Sequence, residues 1–346
     1  MLYLAAFITA LLLALVVTPL VRTLALRLRI VDHPGQRKIH QKPTPLLGGL
    51  AVYVAFGIST ILFWSLGFIS DTRITNVHSI AILLGGLILI VGGILDDRFS
   101  LKPTQQIWFP ILAISLVLAA GVRVQVITNP LGGLIEFPMI LGTTFAFFWL
   151  LGMVYTTKFL DGLDGLVAGV ATIGSLVIFG VSLYWDVPLS GTSLLALMVA
   201  GATSGFLVFN WHPAKIFLGE GGSVWCGFML GVLSIISGSK IATALLIMGI
   251  PILDVLWVIA RRLFEGRSPV HGDDKHLHFR LLDIGLSHRQ AVSFLYLMTA
   301  TFGLTSIFLP SKGKLMALGV LSLVMVILAI ILVVAYKIKH ETANKK

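Results

Sequence analysis

Asp161 and Asp164 lie three residues apart in the run from Phe159 to Leu166, between apolar stretches at 139–157 and 166–185. Beside a bilayer a charge costs roughly 2.5–3.5 kcal/mol on the lenient insertion scale. Two neighbouring carboxylates there need a cation, a partner or water. If the chain turns helical at Asp161, the i, i+3 spacing puts both acids on one face. Gly162 and Gly165 let a phosphate or a metal approach the backbone closely. The competing reading is a solvated loop that tolerates acids, and this stretch alone leaves both open.

Other chemistry-bearing stretches share that ambiguity. Asp96 and Asp97 close the apolar run 79–95, at the unfavourable end of a helix dipole, so a cation, a substrate or hydration must compensate them. The stretch from Phe217 to Ser223 surrounds Glu220 with glycines, a tight turn at a helix start where backbone N–H groups favour phosphate; simple capping by Ser223 is the alternative. It lacks the Gly-Lys-Ser/Thr ending of a P-loop. His276 and His278 are two residues apart, so the i, i+4 zinc pattern is absent. Imidazoles beside Lys275 and Arg280 suit a pyrophosphate better than a structural metal. The loop 32–45, with Arg37, Lys38 and His40, reads equally as a substrate loop or a topology anchor. Asp254 is an intramembrane acid, functional or paired to a neighbouring helix. The glycine pairs at 85–86 and 92–93, and the Gly227/Gly231 spacing, suit helix packing.

The elements that must position these groups are membrane helices. Of 346 residues, 57% are hydrophobic and 12% charged, with mean hydropathy +0.98. That excludes an ordinary soluble globule. The formal charge of +10 is spread between apolar runs, so it speaks for topology and anionic substrates or lipids rather than nucleic acid. The lone Cys226 precludes an internal disulfide. Residues 2–21 lack a basic leader and a small-residue cleavage site, and read as a retained helix. Eleven spans are expected: 2–21, 46–66, 79–95, 106–121, 139–157, 166–185, 193–211, 222–236, 241–260, 291–309 and 315–336. The fold class is therefore an all-α polytopic membrane protein, with residues 1–346 as a single integral membrane domain. Alternate connections carry 20 Lys and Arg on one side and 5 on the other, which puts the first side in the cytoplasm, the amino terminus outside and the carboxyl terminus inside. Every cluster of acids and histidines then falls on the cytoplasmic face, while 122–138 on the outer side reads as a small hairpin. Hard oxygen ligands facing the cytosol suit Mg2+ shared with an anionic substrate.

The order of these motifs resembles the polyprenyl-phosphate N-acetylhexosamine-1-phosphate transferases, most closely the WecA/TagO-like branch, with the muramoyl-pentapeptide branch more distant. The resemblance covers about 30–290. It rests on Asp32 through His40, Pro45 with Gly48 and Gly49, Gly92 through Asp97, Asp161 through Leu166, the Phe217–Ser223 turn, and Lys275 through His278. It implies attack of undecaprenyl phosphate on the β-phosphorus of a cytosolic UDP-sugar, giving undecaprenyl-pyrophosphoryl-sugar and UMP, as a first membrane step of cell-envelope glycan synthesis in the plasma membrane. It also implies Mg2+, with Mn2+ as a substitute, and leaves room for a homodimer. Carried over residue by residue, Asp96 and Asp97 match the acidic pair associated with the lipid phosphate, and Asp161 and Asp164 the central acidic loop. Glu220 stands at the metal-binding aspartate, with Asp164 a second metal candidate. His276 and His278 match the nucleotide-sugar loop, with Arg37, Lys38, His40, Lys275 and Arg280 as further substrate-binding candidates.

The chain departs from the family pattern at Tyr155 and Lys158, where two asparagines are usual, and at Gln106, Glu220 and Phe279, where lysine, aspartate and histidine are usual. The expectation is that Lys158 replaces the cation missing at Gln106, and that Glu220 still binds metal. Two alternatives stand beside catalysis: a degenerate member that binds substrate without turnover, and a transporter. The one-sided charges and the lack of an inverted repeat oppose the transporter.

Overall fold

In lipid, only a helix or a closed barrel satisfies its own backbone hydrogen bonds, and the apolar runs of this chain accordingly fold as helices. In the protein, a computed structural model, all residues except 35–41, 72–73, 130–131, 186–188, 239, 267–275 and 345–346 are described. The long helices are α1 (Leu2–Arg27), α2 (Gly48–Ser65), α3 (Asn76–Phe99), α6 (Met139–Leu160), α7 (Leu166–Trp185), α8 (Gly191–Asn210), α9 (Gly219–Ile236), α10 (Ile241–Phe264), α12 (His288–Phe308) and α13 (Ser311–Asn344). All ten are long and apolar enough to cross a membrane. The protein is a multi-pass membrane protein.

The expected span 106–121 differs. It divides into α4 (Pro103–Gln106) and α5 (Trp108–Ala119), a shorter apolar unit. Pro110 has no N–H to offer the Gln106 carbonyl four residues back, so the helix ladder lapses there. Gln106 Nε2 instead donates to Asp96 Oδ1 at 2.8 Å and to the Leu101 carbonyl at 2.9 Å.

Helix α9 is the central post. Of its span 94% is buried, against 11% for α13, so α9 is wrapped by other helices and α13 faces lipid. Helices α2, α3, α6 and α7 pack around α9. Its backbone comes so near α3 that a Cβ on Gly93 would lie 2.0 Å from the Gly221 nitrogen. Small residues drive such contacts where lipid removes the hydrophobic incentive for association. A stripe of Ala6, Ala10 and Ala14 on α1 likewise meets Gly201 and Gly205 of α8.

Short structures close the connections. β1 (Val31–Asp32) pairs antiparallel with β2 (Thr44–Pro45). The expected outer hairpin is present as β3 (Val126–Thr128) and β4 (Leu134–Glu136), with Ile127 opposite Ile135. Helix α11 (Leu277–Asp283) precedes α12. Asp254 anchors its start, accepting from the Leu277 N–H at 2.9 Å and lying 2.8 Å from His276 Nδ1. The intramembrane acid is thus a paired, structural one.

Candidate active site

The end of α3, the loop after α6 and the start of α9 meet at one end of the bundle. The turn before α9 is pinned from α2 and β2: Gly48 and Gly49 N–H donate to the Phe217 and Leu218 carbonyls, and Phe217 N–H to that of Pro45. Gly219 follows with φ +76°, a left-handed conformation that glycine adopts without strain. A Cβ there would sit 2.6 Å from Asp97 Oδ2. That absence of a side chain lets the Glu220 N–H reach Asp97 Oδ1 at 3.3 Å.

The acidic loop is tied to the same turn. Asn210, closing α8, accepts from the Gly165 N–H at 3.0 Å and donates to the Ile216 carbonyl at 2.9 Å. Asp164 Oδ2 lies 2.6 Å from His212 Nδ1 and accepts from the Ala214 N–H at 3.1 Å. Arg289 in turn grips the His212 carbonyl with two hydrogen bonds, at 3.0 and 2.9 Å, and His288 stacks on the His212 ring at 4.0 Å. The result is a cavity of about 390 Å³ onto which Asp32, Asp97, Asp161, Asp164, Glu220 and His288 open.

Its electrostatics are strained toward negative charge. Asp161 is exposed on the cavity, and the nearby carboxylates of Glu220, Asp97 and Asp164 crowd its own. Lys158 Nζ meets Glu220 Oε1 at 2.5 Å and donates to Gln106 Oε1 at 2.8 Å. A narrow second pocket holds Lys158 with Asp96, Gln106 and Tyr155, and Glu220 borders both pockets. The neighbouring acids Asp96 and Asp97 therefore face different spaces. Asp97 opens to the large cavity, whereas Asp96 accepts from the Leu101 N–H at 2.8 Å and from Gln106.

Asp97, Asp161, Asp164 and Glu220 are brought together, and Lys158 joins them from behind Glu220. Three of the expected substrate groups lie elsewhere. His276 is buried against Asp254 and Phe159. His278 lies beneath the acidic loop, where a Cβ on Gly162 would meet its Nε2 at 2.3 Å. Arg280 lines an apolar cavity between α10 and α13. Arg37, Lys38, His40 and Lys275 fall outside the described residues. Asn210, His212 and His288 were missed by sequence reasoning. Asn210 falls inside the expected span 193–211, whereas His212 and His288 fall in the connections after that span and before 291–309, where only their place on the charged face hinted at them.

Among the described residues one set of side chains is compact enough to hold a cation by itself, and a looser set of acids lies beside it. Ligand atoms of Asp164, His212 and His288 lie within 4.8 Å of one another, a nitrogen-rich set typical of softer transition metals. Asp97, Asp161 and Glu220 offer oxygen alone. Mg2+ is commonly held by one or two carboxylates with waters and substrate phosphates completing its shell. Widely set acids on a roomy cavity fit that habit.

Known proteins resemble this chain in sequence. The sequence model of glycosyl transferase family 4 matches residues 79–238. A probable undecaprenyl-phosphate N-acetylglucosaminyl 1-phosphate transferase of Bacillus subtilis is 32% identical, over 94% of this chain and 90% of its own. A decaprenyl-phosphate N-acetylglucosaminephosphotransferase of Mycolicibacterium smegmatis is 35% identical, over 94% and 87%. An undecaprenyl-phosphate alpha-N-acetylglucosaminyl 1-phosphate transferase of Yersinia pestis is 26% identical, over 83% and 78%. With relatives this similar over nearly its whole length, the chain belongs to glycosyl transferase family 4 and is a transferase of that family.

Proposed function

We propose that the protein transfers N-acetylglucosamine-1-phosphate from UDP-N-acetylglucosamine to undecaprenyl phosphate, releasing UMP. The observation that carries this reading is the convergence of Asp97, Asp161, Asp164 and Glu220 on one cavity of about 390 Å³ at one end of the helix bundle. The names of the relatives supply the lipid acceptor and the transferred sugar phosphate, and the motif resemblance supplies the uridine nucleotide donor. An oxygen of the lipid phosphate attacks the β-phosphorus, the bond to the UMP oxygen breaks, and a new pyrophosphate bond joins sugar and lipid.

Phosphoryl transfer depends mostly on positioning and charge neutralisation. One or two of Asp97, Asp161 and Glu220 would hold Mg2+ together with waters and the diphosphate, and the ion would supply charge neutralisation there. Lys158 orients Glu220 and offsets part of the acidic charge without lining the cavity. His212 and the Ala214 N–H fix one oxygen of Asp164, which leaves the other for a donor on the nucleotide sugar. The charge bias, with 20 of the 25 Lys and Arg in connections at the acidic end, supports a cytoplasmic position for that end.

The test is UMP release by purified protein given undecaprenyl phosphate and a panel of UDP-sugars. We expect turnover with UDP-N-acetylglucosamine and Mg2+, and none with EDTA. Release unaffected by EDTA, or turnover only with a different sugar, would refute the corresponding part.

A further inference from the structure

At the end of the bundle away from the acids lies a larger cavity, of about 660 Å³, bordered by the β3–β4 hairpin and the starts of α10 and α13. It begins roughly 20 Å along α10 from Asp254. Lys240, Lys312 and Lys314 line it, with Thr243, Leu315 and Leu318. Only 5 of the 25 Lys and Arg occur in connections at this end, and three of those five gather here. Such a concentration runs against the topological economy of the rest of the chain.

The surroundings add to the positive charge. Lys314 Nζ donates to Thr243 Oγ1 at 3.0 Å, which fixes its ammonium in the cavity wall, and Lys240 is near enough to repel it. Helices α10 and α13 both start at this cavity, so the positive ends of two helix dipoles face it. Among the described lining residues none is acidic. Leu315 and Leu318 continue the wall one turn deeper into α13. An anion with an apolar extension fits this pairing, whereas a free inorganic anion would leave the apolar wall uncovered.

We propose that this cavity binds the phosphodiester headgroup of an anionic phospholipid, at a site separate from the acidic cavity and independent of the reaction assigned to it. The test uses the full-length protein in detergent, with lipid retention followed by native mass spectrometry. Phosphatidylglycerol, phosphatidylcholine and inorganic phosphate are the probes. We expect phosphatidylglycerol to be retained in preference to phosphatidylcholine, and inorganic phosphate to compete only weakly. Each lysine near a membrane surface is worth about fivefold in affinity, so K240Q/K312Q/K314Q should lose on the order of 100-fold, with UMP release intact. The arginine triple variant should keep the preference. Should the glutamine triple variant not fold, the exposed Lys312→Gln alone should still lose about fivefold. Equal retention of both lipids by the unaltered protein would overturn the proposal. So would unchanged preference in the glutamine variants, or phosphate binding as tightly as the lipid.

Discussion

Lys158 Nζ lies 2.5 Å from Glu220 Oε1, yet only Glu220 of the two opens onto the 390 Å³ cavity. The lysine therefore acts on the site through the glutamate. It also donates to Gln106 Oε1, so the positive charge and the amide occupy adjoining positions that could be exchanged. Lys158→Ala should lower UMP release by about 100-fold, the scale seen when one preorganised electrostatic partner is removed. The exchanged pair, Q106K with K158N, should recover much of that loss. Full activity in Lys158→Ala would show that the charge is not needed there, and no recovery in the pair would show that the two positions are not interchangeable. Both are read as kcat and KM of purified variants.

The second prediction concerns Asp164. Its oxygen is held by His212, whose carbonyl is gripped by Arg289. His212→Ala should reduce kcat/KM about tenfold, less than Asp164→Asn, because the histidine only positions the acid. Residues acting as a unit are non-additive. The double variant should therefore be no slower than Asp164→Asn alone. Multiplied losses would mean that the two groups work separately.

His278 sets a pH limit on stability. Burial first, then His276 and His288, pushes its imidazole down to about 3, and neither ring nitrogen has a hydrogen-bond partner among the described residues. Above pH 6.5 the ring is neutral both folded and unfolded, and no penalty arises. As the pH falls below 6.5 the unfolded chain takes up a proton that the folded chain refuses, so stability drops progressively toward pH 3. Thermal unfolding in detergent from pH 7.5 to 4.5 should show that decline, and His278→Leu should make it shallower. An identical slope in the variant would assign the acid sensitivity to other groups.

Gly93 tests how the site is built. A Cβ at Gly93 would lie 2.1 Å from the Gly221 Cα, so Gly93→Ala must separate α3 from α9. Overpacking typically costs about 1–3 kcal/mol. Because Asp97 and Glu220 ride on those two helices, activity should fall together with melting temperature. A variant with unchanged stability and rate would contradict the close approach.

Much of this was legible in the sequence, and the remainder was hidden for identifiable reasons. Hydropathy reported the long helices because each must satisfy its backbone within lipid, and the charge bias put the acids of four connections at one end. The spacing of Asp161 and Asp164 marked the acidic loop. Adjacency in sequence could not tell that Asp96 and Asp97 face different pockets, since that depends on Gln106 folding back where Pro110 interrupts the helix ladder. Nor did His212 and His288 announce themselves. Each is a lone histidine at a helix end, and their approach to Asp164 exists only after three helices have packed. Asp254, an intramembrane acid that the sequence leaves as functional or paired, is answered by a histidine 22 residues later.

The central claim is that the carboxylates of this cavity hold a divalent ion which the transfer needs. Its most direct test is Mn2+ binding, followed by electron paramagnetic resonance, in the purified protein and in Asp97→Asn, Asp161→Asn and Glu220→Gln, with UMP release measured on the same samples. We expect the unaltered protein to bind Mn2+ in the presence of UDP-N-acetylglucosamine, and each variant to lose binding and turnover together. Mn2+ bound equally well by all four proteins, or turnover persisting in a variant that binds none, would contradict it.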